Sequence, residues 1–215
     1  MIPVMVVPIL TRPELLDRML DSVDYHVGTL VIIDNGHTLP GDFPHRDWAE
    51  NAYVLRMPSN LGVATSWNLG IKATPFAPWW LVANFDVTWP AGSLQQFDTD
   101  DAPQVLRLAH ASPPWCAFSV GEDVVRQVGL FDEYLHPAYF EDNDYERRCH
   151  AAGVPVVQSG IGVDHRNSST LDGGYRAAND RTFKANAEYH AAKQFRGDLT
   201  EGRWSLKRRR DQTWD

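Results

Sequence analysis

The chain has 215 residues, 43% of them hydrophobic and 22% charged, which suits an ordinary globular protein with one sizeable core. Its net charge of −8 argues against a general nucleic-acid binder, which carries a basic footprint. Cys116 and Cys149 are too few for a disulfide framework and lack metal-ligand spacing, so a reduced, cytoplasmic setting is expected. Met1-Ile2-Pro3-Val4 has no basic region before its apolar stretch, and no uninterrupted apolar run approaches membrane-spanning length. Neither a signal peptide nor a transmembrane segment is therefore expected.

Val4 to Leu10 is a Val-rich apolar run that reads as a buried strand. Thr11-Arg12-Pro13-Glu14 then reads as a helix start, with Thr11 as cap, Pro13 in the first turn and Glu14 closing a capping box. Leu15, Leu16, Met19, Leu20 and Val23 recur at helical spacing. Thr29 to Ile33 is a second strand, stopped by the turn signal Asp34-Asn35-Gly36. Tyr53 to Met57 is a third strand and Leu61 to Ala73 a helix, although Gly62 and Gly70 weaken it. Trp79 to Ala83 is a fourth strand that delivers Asn84-Phe85-Asp86 at its end. Further on, Ala117 to Val120 reads as a strand and Gly121 to Val128 as a short helix. Asn143 to Ala152 is an acidic helix ended by Gly153, Val154 to Val157 a strand, and Tyr175 to Phe195 a helix. Glu201 to Arg210 reads as a terminal helix or a mobile tail.

Strands alternating with helices predict an α/β protein with a mostly parallel sheet and helices on both faces. Such a sheet binds ligands outside the carboxyl ends of its strands. Polar residues stand at four of those ends: Thr11 and Arg12, Asp34 and Asn35, Ser59 and Asn60, Asn84 and Asp86. One domain is expected over residues 1–200. Its nucleotide-binding part covers about 1–100 and a smaller acceptor-side part about 101–200, with a basic tail over 201–215.

Seven segments then follow in a telling order. They are Val6-Val7-Pro8-Ile9-Leu10-Thr11-Arg12, Val31-Ile32-Ile33-Asp34-Asn35-Gly36, and Asn60-Leu61-Gly62-Val63-Ala64 with Asn68-Leu69-Gly70. After them come Asn84-Phe85-Asp86-Val87, Gly129-Leu130-Phe131-Asp132-Glu133, Tyr139-Phe140-Glu141-Asp142-Asn143-Asp144 and Asp164-His165. In this order the chain resembles glycosyltransferase family 2, enzymes of the GT-A fold. Its Tyr189-His190-Ala191-Ala192-Lys193-Gln194-Phe195-Arg196-Gly197 is similar to the ending of the rhamnosyltransferase-like branch. The resemblance implies an inverting transfer of a sugar from a nucleotide-diphosphate sugar to an acceptor hydroxyl, assisted by Mn2+ or Mg2+. The acceptor would be a glycan, a lipid-linked molecule or a protein.

On that resemblance, Asp86 binds a cation that bridges the donor diphosphate, and His165 completes the metal site. Hard cations favour oxygen ligands and share them with substrate phosphates. The family's metal motif has Asp at both ends; here the first is Asn84, which can hydrogen-bond a ribose hydroxyl but brings no charge. Thr11, Arg12, Asp34, Asn60, Gly62 and Asn68 would read the nucleotide, with the helix start after Gly62 suited to a phosphate. Ordinary turn chemistry is the competing account of Asp34-Asn35-Gly36.

Asp142 is the candidate general base and Glu141 its supporting or acceptor-orienting partner. Asp144 has a structural alternative, an exposed ion pair with Arg148 four residues on. Trp115 is either a sugar-stacking ring or core. The tail Arg203-Trp204-Ser205-Leu206-Lys207-Arg208-Arg209-Arg210 is basic, which suits a peripheral membrane contact or simple solvation. Two rivals remain. A nucleotidyltransferase shares such a sheet but opens with a glycine-rich loop, which Pro8-Ile9-Leu10-Thr11-Arg12 lacks. A non-catalytic carbohydrate-binding or scaffold domain is kept alive by Asn84.

Overall fold

A computed structural model describes residues 1–41, 43, 46–166 and 176–201, the first four residues of the last segment by backbone alone. The strands are β1 (Ile2–Ile9), β2 (Val27–Asp34), β3 (Ala49–Arg56), β4 (Trp79–Ala83), β5 (Val87–Thr88), β6 (Leu106–His110), β7 (Ala117–Gly121), β8 (Val156–Gly162) and β9 (Asp164–His165). The helices are α1 (Pro13–Asp21), α2 (Val63–Ala73), α3 (Glu122–Val128), α4 (Glu141–Ala152) and α5 (Arg176–Phe195).

Seven strands form one sheet in the order β3-β2-β1-β4-β7-β6-β8. β7 alone runs against the others, pairing antiparallel with both β4 and β6. The expected mostly parallel α/β sheet is therefore present. After β1 the chain turns outward to β2, whereas β4 lies on the other side of β1, so the order reverses between β1 and β4. In an open sheet such a reversal leaves a crevice at the carboxyl ends. The residues after β1 and after β4 flank it.

Alternation along β1 builds a core on each face, because successive side chains of a strand point oppositely. Met5, Val7 and Ile9 pack with Leu15, Leu16, Met19 and Leu20 of α1. Val4 and Val6 pack on the other side with Ala64, Trp67 and Ile71 of α2. Gly70 permits this approach: a Cβ there would sit 2.3 Å from the Val6 side chain. The glycine that weakens α2 as an isolated helix is what lets it pack.

Three sequence expectations change in detail. The α1 cap is Arg12, in a left-handed conformation at φ 58°, and no side chain caps the helix. Neither the Thr11 cap nor the Glu14 capping box forms, and Glu14 instead accepts from Arg12 Nε at 2.8 Å. The last strand of the main sheet covers Val156–Gly162 rather than Val154 to Val157. α4 begins at Glu141, two residues before the acidic helix expected from Asn143, so Glu141 and Asp142 occupy its first turn. Among the described residues no helix is long and apolar enough to cross a membrane. Tyr175 and the basic tail from Arg203 lie outside the described residues.

Candidate active site

β4 ends at Ala83, and the next residues are held in place by backbone bonds. The Asn84 amide donates to the Cys116 carbonyl at 2.8 Å, tying the strand end to the start of β7. Three residues on, β5 pairs antiparallel with β9, placing Val87 opposite His165. That short ribbon brings two segments distant in sequence side by side. His165 Nε2 lies 3.2 Å from Asp86 Oδ1, and the two side chains are only 5% and 6% exposed. His165 Nδ1 is buried with no hydrogen-bond partner. The Arg166 amide donates to the Asp86 carbonyl at 3.1 Å, closing the loop from the other side.

The donor set suits a hard divalent cation. A carboxylate oxygen and an imidazole nitrogen converge, and both residue types ligate Mn2+. Among the described residues no cluster of three His, Cys, Asp or Glu side chains is arranged to hold a metal. Were the two to hold a cation, the remaining positions would fall to substrate phosphates and water, the usual arrangement where a cation serves a nucleotide.

Across the crevice, Arg12 and Glu14 form an ion pair at the end of β1. The Arg12 guanidinium holds the Glu14 carboxyl below its ordinary range, and the Arg166 charge adds to the effect. Positive charge from both sides of the crevice therefore reaches Glu14. Thr11 Oγ1 is buried without a partner.

The other nucleotide-reading candidates are largely occupied by the protein itself. Asp34 is fully buried and its carboxylate accepts from the amides of Gly36, Thr38 and Leu39. It shapes the loop after β2, which is the turn-chemistry account. Asn68 is also fully buried: its amide donates to the Phe131 carbonyl and Glu133 Oε1, while its oxygen accepts from the Phe131 amide. The structure therefore does not bring Asn68 to the rim. Asn60 accepts from the Gly62 amide at 2.9 Å. Gly62 has φ 80°, and a Cβ there would lie 2.7 Å from the Pro137 carbonyl oxygen. That same oxygen accepts from the Val63 amide at 2.7 Å, so a protein carbonyl satisfies the first amide of α2.

This contact has a positive consequence. It docks the segment before α4 onto the carboxyl end of β3, with His136 Nε2 also 3.2 Å from the Asn60 carbonyl. Trp115 sits beside the Asn84 anchor and packs 6.5 Å from Tyr145 of α4. It is 7% exposed and stacks on Trp67 at 6.4 Å, which makes it core and not a sugar platform. Through Pro137 on one side and Trp115 on the other, α4 is packed against the end of the sheet that carries Asp86.

The first turn of α4 is where the carboxylates gather. Asp142 is half-buried and accepts from the Asn143 amide at 2.8 Å. Burial raises its pKa, and backbone hydrogen bonds oppose the rise. Glu141 is 6% exposed, and its Oε2 has no partner. Burial, with the Asp142 charge adding to it, pushes the Glu141 carboxyl up to about 8. Glu141 therefore holds its proton near neutrality. Tyr139 and Phe140 immediately before them both have positive φ, 78° and 74°. Bulky residues rarely adopt this conformation, and such strain gathers at functional sites.

Asp144 is not an exposed pair with Arg148 but part of a buried network. It accepts from Arg148 Nε at 2.8 Å and from Lys193 Nζ at 2.9 Å. Lys193, fully buried, also donates to Asp132 at 2.6 Å, and the Tyr189 hydroxyl donates to the same carboxylate at 2.9 Å. Sequence reasoning missed this role for Asp132, Tyr189 and Lys193. A fully buried lysine is rare unless paired, but its partners come from distant segments that a linear reading does not connect. His190 was missed too; it is 8% exposed, and its Nε2 has no partner.

No known family's sequence profile matches the chain, and no curated protein is significantly similar to it. Solved structures do match. A mannosyltransferase from Pyrobaculum calidifontis, in complex with GDP-Man and Mn2+, is 14% identical with a TM-score of 0.64, over 90% of this chain and 64% of its own. TarS from S. aureus is 13% identical with a TM-score of 0.63, over 94% of this chain and 41% of its own. GalNAc-T7, with UDP, GalNAc and Mn2+, is 10% identical with a TM-score of 0.53, over 76% and 43%. The fold is GT-A. This chain spans less than two thirds of the length of each of these three GT-A proteins.

Proposed function

We propose that this GT-A chain is an inverting glycosyltransferase that moves a sugar from a nucleoside-diphosphate sugar to an acceptor hydroxyl. The observation that carries the reading is the buried Asp86–His165 pair, 3.2 Å apart where the strand order reverses. A GT-A fold uses that position for the donor diphosphate, and the solved neighbours with GDP-Man or UDP and Mn2+ support the assignment. Asp86 and His165 would hold Mn2+ or Mg2+, which supplies charge neutralisation to the departing diphosphate. Asn84 stands beside them as a neutral hydrogen-bonding group for the ribose.

The chain's own residues do the rest. Arg12 and Arg166 bring positive charge to the crevice and favour a diphosphate there. Asp142 takes the acceptor hydroxyl's proton as that oxygen bonds to the anomeric carbon. The bond from that carbon to the donor phosphate oxygen breaks on the opposite face, and its electron pair leaves with the nucleoside diphosphate. Glu141, protonated near neutrality, donates a hydrogen bond and does not compete for the proton. Asn60, Asn68 and Asp34 act by shaping the loops around the crevice. The Tyr189 to Lys193 ending supports a rhamnosyltransferase-like donor.

A screen of UDP-, GDP- and dTDP-sugars by thermal shift, with and without Mn2+, tests the donor site. One nucleotide should stabilise the protein in a Mn2+-dependent way and be released slowly as free diphosphate. Stabilisation without any nucleotide release would support the carbohydrate-binding scaffold, the reading that Asn84 favours because it brings no charge to a cation.

A further inference from the structure

β3 is one end of the main sheet, paired with β2 on one side and with no described strand on the other. It runs for eight residues, Ala49–Arg56, with neither proline nor glycine. Residues 50–53 are all exposed, and Tyr53 is 54% exposed. No charge interrupts the stretch from Asn51 to Leu55. An open edge of this kind presents a row of unpaired backbone N–H and C=O groups to another strand. The opposite edge, β8, is blunted. Gly160 and Gly162 weaken it, and its register with β6 shifts between Leu108 and His110.

We propose that β3 is a homodimer interface, in which two copies pair antiparallel about a two-fold axis at Tyr53. The strand is its own complement in that register. Tyr53 of each copy faces the other, Ala52 lies opposite Val54, Asn51 opposite Leu55, and Glu50 opposite Arg56. Residues directly opposite in an antiparallel pair project from the same face of the sheet. The Glu50 carboxylate therefore meets the Arg56 guanidinium twice, once on each side of the axis. Both groups are accessible for this. The Glu50 side chain is 55% exposed and lies 3.1 Å from His26. Arg56 is exposed and donates to the Pro40 and Gly41 carbonyls, which do not neutralise its charge. Sliding either copy by one residue sets Glu50 opposite Leu55 or Met57 and separates both pairs. A second copy suits this edge better than an unrelated extended peptide, because its strand brings both charges to matching positions. The crevice between β1 and β4 lies inward of β2, so pairing leaves it open. The interface thus stands independently of the proposed activity.

Sedimentation of the full chain tests this, and should read twice the 24.3 kDa chain mass at micromolar concentration. Glu50→Arg and Arg56→Glu each set like charges opposite one another on both sides of the axis. Either variant alone should dimerise about tenfold more weakly than wild type. Mixed together, the two should pair as tightly as wild type, because each supplies the charge that the other lacks. Tyr53→Lys, which places two exposed cations at the axis, should also weaken the dimer about tenfold. A wild-type chain that stays monomeric at about 100 μM overturns the proposal. So does a dimer that Tyr53→Lys leaves unchanged, or a pair of charge variants that associate no better mixed than alone.

Discussion

Glu141 has no partner for Oε2, and its folded pKa of about 8 stands far above the ordinary carboxyl value of about 4.3. Between those values the folded chain binds a proton that the unfolded chain releases, so the stability Glu141 contributes is complete below pH ~4 and lost as pH rises to ~8. Glu141→Gln removes the titration. Its melting temperature should match wild type at pH 4 and exceed it by about 10 °C at pH 8.5, measured by calorimetry. Asp142 is a half-buried carboxylate that must ionise to act as a base. Asp142→Asn should abolish transfer while leaving nucleotide affinity within about twofold, read by product formation and titration; an active variant would remove Asp142 as base. At this scale the sequence was readable where function and chain order coincide. Asp86 and His165, far apart in the chain, lie 3.2 Å from each other, but Asp34 and Asn68 spend their hydrogen bonds on loops. Those bonds depend on the Gly36, Thr38, Leu39 and Phe131 backbone, which no local pattern reveals.

α5 is held to the rest of the molecule by a charge. Lys193 lies between Asp132 and Asp144, all three fully buried, and its removal would take the lysine charge from Asp132 and leave Asp144 to Arg147 and Arg148. Lys193→Met should therefore cost about 3–5 kcal/mol in urea unfolding, much more than an exposed pair would. Gly62 links two other elements. With φ 80° and Pro137 only 2.7 Å from any Cβ, Gly62→Ala should cost about 1–3 kcal/mol and displace the segment before α4, raising the acceptor KM more than the donor KM. Most elements could be read from periodicity, but β6 could not. Leu106–His110 is five residues long and carries Arg107 among its apolar residues; it is a strand because β7 and β8 flank it. The α1 cap misleads for a related reason, since Arg12 takes a left-handed conformation that the Thr-x-x-Glu pattern does not anticipate.

For the whole molecule, donor binding and folding are linked. A nucleotide with Mn2+ at about a hundred times its dissociation constant adds ~2.7 kcal/mol, a rise in melting temperature of about 5–10 °C for a chain of this length. Asp86→Ala should lose the Mn2+-dependent part of that rise; an unchanged rise would place the cation elsewhere. The sheet order that creates the crevice was legible only in outline, because β7 runs antiparallel and no local pattern specifies strand direction. The two-residue ribbon of β5 and β9 carries a further implication for biosynthesis. Asp86 emerges from the ribosome long before His165, so if the two hold a cation as proposed, a nascent chain has only half of that grip. On that proposal donor capture waits until the late ribbon closes, and a truncated product ending before β9 should neither sequester manganese nor waste activated sugar.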